Sequence, residues 1–289
     1  MMLHAHRRAF MRKALAAPLL LSGCSPFTIV NGLVPSSGYR ARTDLPYGTH
    51  ARHRLDVYQP DRPERSLPVV VFFYGGNWNT GERNNYRFVG EALASKGIVT
   101  VIPDYRLFPE VRYPAFLHDS AAAVRWTLDR IGEFGGDPSR IFLMGHSAGA
   151  YNAAMLALNP EFLRGVKVGP SHIRGFIGLA GPYDFLPLTG AVTRAVFGYP
   201  DTPRTTQPIE FANSDDPPAL LITGANDNVV NPGNSARLAV RLRNSGVRVR
   251  EIVYADVSHT LLVGSLAVPL RRLSPVLEDV ASFITDPKT

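Results

Sequence analysis

Arg140-Ile141-Phe142-Leu143-Met144-Gly145-His146-Ser147-Ala148-Gly149-Ala150 is the stretch that decides how this chain is read. Arg140 to Met144 is an apolar run of strand type, and Ala150 to Leu158 is helix-like. Between them a pentapeptide holds a serine at the tip of a sharp turn. Gly145 and Gly149 lack Cβ atoms, so the backbone can fold tightly there and neighbouring elements can come close. The turn lifts the Ser147 hydroxyl clear of the sheet, with the N–H groups that follow it aimed at the same space. The pentapeptide alone is common; the strand before it and the helix after it give it weight.

Outward from this turn, strands and helices alternate. Val69 to Phe73 is an unbroken apolar run, as expected of a strand buried on both faces. Arg87 to Lys96 reads as a helix ending at Gly97, and Ile98 to Ile102 as a second buried strand. Leu117 to Ile131 puts Leu117, Ala121, Val124 and Leu128 on one helical face. Gly135-Gly136-Asp137-Pro138-Ser139 reads as a turn. Beyond the serine, Gly175 to Ala180, Pro218 to Thr223 and Val247 to Tyr254 read as strands, with helices over Ser235 to Ser245 and about Pro275 to Ile284. Tyr39 to Tyr47 and Arg52 to Tyr58 suit an antiparallel pair. The pattern predicts an α/β fold, a mostly parallel central sheet with helices on both faces. Phe185 to Pro217, with Pro187, Pro200, Pro203 and Pro208, has little periodicity and reads as a small partial cap over the site.

The chain has 289 residues, 45% hydrophobic and 19% charged, enough for one large core. Its net charge of +7 raises the question of nucleic acid. Four of those charges, Arg7, Arg8, Arg12 and Lys13, lie ahead of Cys24 with no acidic residue among them. The remaining basic residues are scattered, without the stripe that phosphate binding needs, so no nucleic-acid partner is expected. Residues 1–23 read as a signal peptide: a basic stretch, then the short apolar segment Ala14 to Leu21, far below the ~20 residues of a membrane span. Leu21-Ser22-Gly23-Cys24 resembles the bacterial lipobox, which implies lipidation at Cys24 and an exported, lipid-anchored protein on the periplasmic face. His6-Arg7-Arg8-Ala9-Phe10-Met11 is also similar to a twin-arginine signal. Residues 24–38 read as a tether and 39–289 as one catalytic domain. Cys24 is the only cysteine, so no internal disulfide and no cysteine-based metal site can form.

A serine hydroxyl needs a base within hydrogen-bond reach before it attacks anything at neutral pH. Of eight histidines, His4 and His6 belong to the leader, and His50 and His53 to the N-terminal strands. His118 opens a helix, His172 lies in a polar loop, and the His146 side chain should diverge from its neighbour Ser147. His259, in Asp256-Val257-Ser258-His259-Thr260, follows the last strand, in a loop at the carboxyl edge where Ser147 also emerges. The imidazole in turn needs a carboxylate to fix its tautomer. Asp227, directly after the strand Leu220 to Ile222, is the main candidate. Asp184, after the preceding strand, is a rival; Asp256 is too close along the chain to reach the ring comfortably. Tyr74-Gly75-Gly76-Asn77-Trp78 follows a buried strand, and its glycines let backbone N–H groups turn toward the site. With Ala148, the N–H groups of Gly76 and Asn77 are candidate oxyanion donors. No metal-ligand cluster and no nucleotide fingerprint appears, so no cofactor is expected.

Val70 to Arg83, Ile102-Pro103-Asp104-Tyr105-Arg106-Leu107, Phe108-Pro109-Glu110 and Phe134-Gly135-Gly136-Asp137-Pro138, together with Gly145 to Gly149, resemble the hormone-sensitive-lipase-like carboxylesterases of the α/β-hydrolase superfamily. The nearest branch has the oxyanion motif His-Gly-Gly-x-Trp and includes BD-FAE-like acetyl and feruloyl esterases, kynurenine formamidase-like enzymes and prenylcysteine methylesterase-like proteins. The resemblance covers about Leu67 to His259. It implies an α/β-hydrolase fold, a triad of Ser147, Asp227 and His259 in the chain order of that fold, and Gly76, Asn77 and Ala148 as oxyanion donors. The implied activity is a serine carboxylic-ester hydrolase acting on small or short-acyl esters through an acyl-enzyme. Amide or formamide hydrolysis by the same triad is the alternative, as is a non-catalytic lipoprotein of this fold. The chain departs from the family at Tyr74, where histidine is usual, and the long N-terminal helical cap of the lipase-like branch is not expected. A tyrosine tip can still hold a hydrogen bond, so activity is expected, with a shifted loop.

Overall fold

A computed structural model describes residues 26–62 and 66–285. Its centre is one eight-stranded sheet: β1 (Tyr39–Pro46), β2 (Arg54–Pro60), β3 (Leu67–Phe73), β4 (Val99–Pro103), β5 (Gly136–His146), β6 (Ile173–Leu179), β7 (Ala219–Gly224) and β8 (Val249–Tyr254). The spatial order is β1-β2-β4-β3-β5-β6-β7-β8. β1 pairs with β2, and β2 with β4, in antiparallel fashion; every pair from β4 to β8 is parallel.

The apolar runs account for this order. Every residue of β3, β4 and β7 is buried, as required of interior strands covered on both faces. β1 is instead mostly exposed and carries Arg40, Arg42 and Asp44; charges on an edge strand discourage pairing with another chain. The helix Ala148–Leu158 has ten buried residues and packs against β5, β6 and β3. Its small residues Gly149, Ala150, Ala153 and Ala154 let it lie close on the sheet. Arg87–Ala94 packs on β2 and β4, Gly233–Asn244 on β7 and β8, and Val276–Thr285 on β7. Each large apolar side chain buried this way contributes ~1.5–3 kcal/mol.

Several local expectations change. β5 begins at Gly136, where a turn was expected, because Gly136 pairs with Leu67 before the register shifts and the true core of the strand starts at Ile141. Residues 26–32, expected within a tether, form a helix, Pro26–Gly32. Asn31 holds it in place, donating to the Asn84 carbonyl at 2.8 Å and accepting from the Phe88 N–H at 3.2 Å. The Pro-rich excursion contains the helix Ala191–Phe197, whose Phe197 ring packs edge-on to Trp78 at 4.8 Å. Cys24 and the leader lie outside the described residues. None of the described helices is long and apolar enough to cross a membrane.

Candidate active site

The carboxyl ends of the parallel strands bring the candidate residues to one edge. Ser147 directly follows β5, Asp227 follows β7 and His259 follows β8. Ser147 carries φ 55° and ψ −122°, a left-handed backbone that costs a non-glycine residue ~1–3 kcal/mol. The flanking glycines make room for it. A Cβ on Gly149 would lie 2.0 Å from the Phe73 carbonyl oxygen, and one on Gly145 would lie 2.2 Å from the Gly149 backbone. The Ser147 N–H is held by the Leu179 carbonyl of β6 at 2.9 Å.

His259 Nδ1 lies 2.7 Å from Asp227 Oδ2. The other carboxylate oxygen accepts the N–H groups of Val229 and Val230, both at 2.9 Å. Burial by itself would raise the Asp227 carboxyl. The hydrogen bond from His259 and the two N–H groups outweigh it and hold the group below the usual carboxylate value. With Nδ1 committed to Asp227, Nε2 is the nitrogen left to exchange a proton. His259 is the first residue of a short helix, His259–Gly264, capped by Ser258, rather than part of the loop expected there. Among the described residues no hydrogen bond joins the Ser147 hydroxyl to His259. Such contacts are often long without substrate and tighten when it binds.

The rival carboxylates have other partners or positions. Asp184 Oδ2 accepts from Arg237 Nε at 2.6 Å, and Asp256 is exposed. Three other histidines have polar partners of their own, and His118 is exposed. His50 sits 2.6 Å from Glu110, His53 lies 3.1 Å from Asp119, and His172 contacts the Gly169 carbonyl.

Gly76, Asn77 and Trp78 all have positive φ, at 133°, 54° and 59°. Their carbonyl side is tied down, since Gly76 O accepts from Asn79 N and Thr80 N. The N–H groups of Gly76, Asn77 and Ala148 donate to no acceptor among the described residues. Ala148 is also the first residue of its helix, where N–H groups have no partner within the helix. Trp78 is 2% exposed and donates its indole N–H to Asn152 Oδ1 at 3.0 Å.

The tyrosine that replaces the usual histidine is buried between two others. Tyr74 stacks on Tyr105 and Tyr86 at 4.9 and 5.4 Å. Its hydroxyl donates to Asp104 Oδ1 at 2.7 Å and accepts from Arg52 Nη2 at 2.8 Å. Burial, followed by the Asp104 charge, pushes the phenol well above its usual value, so it stays a donor. Gly81 leaves room for the ring, since a Cβ there would lie 2.9 Å from two Tyr74 ring carbons.

Asn77, Trp78, Ser147 and Ala148 form the floor of a cavity of about 560 Å³, within the range of small-molecule sites. Phe185, Leu186 and Leu188 from the Pro-rich excursion and Val230 form its apolar walls. Arg237 lines it as well, neutralised by Asp184. A larger hollow of about 810 Å³, at the amino ends of β5 to β8, is lined by Arg140 and Arg174 and contains no histidine.

Sequence reasoning singled out neither Asn152, Arg52, Arg83 nor the contact made by His146. Asp104 stood in a quoted motif without a role. Each acts through partners distant along the chain, which no local spacing reveals.

Residues 55–242 match the family model BD-FAE. The chain is 30% identical to isoprenylcysteine alpha-carbonyl methylesterase ICME of Arabidopsis thaliana, over 85% of this chain and 62% of that protein. It is 29% identical to Esterase LipQ of Mycobacterium tuberculosis, over 86% of this chain and 63% of that protein. The chain thus spans about 60% of the length of such curated relatives. Among solved structures, a hyperthermophilic esterase from the archaeon Pyrobaculum calidifontis superposes with a TM-score of 0.73 at 25% identity, covering 89% of each chain. A truncated carbohydrate esterase from gut microbiota gives 0.75 at 22% identity, over 87% of this chain and 97% of that one, a likeness of fold.

Proposed function

Because this chain belongs to the BD-FAE family of α/β-hydrolases, we propose that it is a serine carboxylic-ester hydrolase with Ser147, His259 and Asp227 as its triad. The observation that carries the reading is the 2.7 Å contact between His259 Nδ1 and Asp227 Oδ2, at the sheet edge where Ser147 emerges. An imidazole held this way presents Nε2 as a base, and the carboxylate stabilises the imidazolium that forms.

His259 Nε2 takes the proton of Ser147 as Oγ attacks the ester carbonyl. Negative charge then collects on the carbonyl oxygen, where the N–H groups of Gly76, Asn77 and Ala148 are free to donate. Each such donor is worth ~3–4 kcal/mol in the transition state. Collapse of the tetrahedral intermediate expels the alcohol, protonated by His259, and leaves Ser147 acylated. Water, deprotonated by His259, repeats the attack and releases the acid. Asp227 holds one ring tautomer throughout.

The apolar walls and the neutralised Arg237 favour uncharged esters with small or short acyl groups. Ser147→Ala should abolish turnover of p-nitrophenyl acetate and labelling by a fluorophosphonate while leaving the melting curve cooperative. Retained turnover in that variant would refute the assignment. A series of p-nitrophenyl esters of rising chain length, set beside an N-formyl amide, would place the substrate class.

We propose further that residues 1–24 direct export and lipidation at Cys24, which would hold the enzyme at a membrane on the periplasmic face. The basic stretch, the short apolar segment and Leu21-Ser22-Gly23-Cys24 support it. Palmitate labelling of the full chain in a bacterial host should vanish in Cys24→Ser; label retained in that variant would refute it.

A further inference from the structure

His146 is 4% exposed, in the middle of the nucleophile turn, and takes no part in the proton transfers above. Its ring packs against the ring of His259, with centroids 4.6 Å apart. Its Nε2 lies 3.0 Å from the backbone carbonyl oxygen of His259. A carbonyl oxygen only accepts, so Nε2 must carry the proton and Nδ1 must be bare. That Nδ1 is buried and has no hydrogen-bond partner. It faces the start of the oxyanion loop, where a Cβ on Gly75 would lie 3.2 Å away.

An unpaired buried nitrogen is unfavourable, and an apolar ring of similar size would fill this space without it. What the imidazole adds is the one bond joining the residue before the nucleophile to the backbone of the base. We propose that His146 is a positioning residue: by donating Nε2–H to the His259 carbonyl, it fixes where the base stands relative to Ser147. The proposal rests on the esterase reading for its kinetic consequence, though not for its structural one.

The environment keeps this donor intact during the reaction. The charged or titratable groups facing His146 are His259 and Asp227. Burial, then repulsion from His259, pushes the ring down to about 3, with the Asp227 charge acting in the opposite sense. The ring therefore stays neutral while His259 becomes an imidazolium, and adds no like charge beside it.

The test uses the full chain with His146→Phe, which keeps a ring and loses the donor, and His146→Gln, whose amide N–H has similar reach. A base displaced by about 1 Å can lose on the order of 100-fold in rate. His146→Phe should therefore lower kcat by about that factor with KM changed little, and His146→Gln should recover most of the loss. It should also weaken or broaden the low-field proton resonance of His259 Nδ1–H, which Gln should restore. Wild-type kcat and an unchanged resonance in a folded His146→Phe would overturn the proposal. If the phenylalanine variant does not fold, nitrogen-15 shifts of the wild-type protein decide: Nε2–H on His146 supports the proposal and Nδ1–H overturns it. If the wild type neither hydrolyses esters nor takes a fluorophosphonate, the esterase reading fails, and the resonance comparison alone decides the role of His146.

Discussion

The hydroxyl of Tyr74 lies 2.7 Å from Oδ1 of Asp104, and the same oxygen accepts the backbone N–H of Arg83 at 2.8 Å. Both ends of the segment from 74 to 83, which carries Gly76 and Asn77, are thus closed on one buried carboxylate. The Arg83 guanidinium adds bonds to Asp104 Oδ2, to Asp56 at 2.9 Å and to Asp44 at 2.8 Å. The candidate oxyanion N–H groups hang from a loop whose frame is ionic and lies outside the cavity.

Tyr74→Phe removes the hydroxyl while keeping the stacked ring. A hydrogen bond to a charged group is worth ~1.5–3 kcal/mol, and each kcal/mol lost lowers the melting temperature of a domain this size by ~2–4 °C. Since the N–H groups act on the transition state, kcat should fall more than KM rises. Thermal melts and steady-state kinetics on p-nitrophenyl acetate check both; no change in either would mean that the anchor is idle.

Ser147→Gly and Ser147→Ala should both be inactive but differ in stability. Glycine adopts φ 55° freely, whereas alanine keeps the strain of ~1–3 kcal/mol. After the entropy cost of glycine, the glycine variant should be the more stable by about 1 kcal/mol. Urea denaturation of the two variants side by side measures this.

Asp227→Asn should lower kcat on the order of 10³- to 10⁴-fold by losing the tautomer control of His259. The folded carboxyl lies below its ordinary value of about 4. Its stabilisation is therefore complete above that pH and is lost as pH falls through the folded value. The stability gap between wild type and variant should be steady near neutrality and close in acid. Denaturation at pH 7 and at pH 3 tests the sign.

His146 titrates at about 3 when folded and near 6.5 when unfolded. A depressed value means that its contribution is complete above about pH 6.5 and declines as pH falls toward 3. Across that window this one group can remove up to ~1.4 kcal/mol per pH unit. His146→Gln should flatten the fall in stability between pH 6.5 and 4, measured by urea titration at several pH values.

The parallel sheet was legible because buried strands have no polar face: Val69 to Phe73 and Leu220 to Ile222 are apolar throughout, and strict runs of that kind have few other readings. The positions of Ser147, Asp227 and His259 followed from strand ends, and the structure brings Asp227 and His259 into contact. The helix Pro26–Gly32 was not legible, since its docking depends on Asn31 bonding to residues more than fifty positions away. The clamp on the loop was hidden for the same reason. Tyr74 and Arg83 bound one segment and Asp104 follows another strand, and the pairing of β3 with β4 brings them together. His146 was set aside as a base because adjacent side chains diverge. Its ring instead meets His259, a residue more than a hundred positions away.

Ser147 stands at the middle of the sheet, while the acid and the imidazole are supplied by its last two strands. During synthesis the segment that bears the hydroxyl is therefore made before the segments that carry both partners. On the proposed triad, hydrolysis should begin only when β7 and β8 dock.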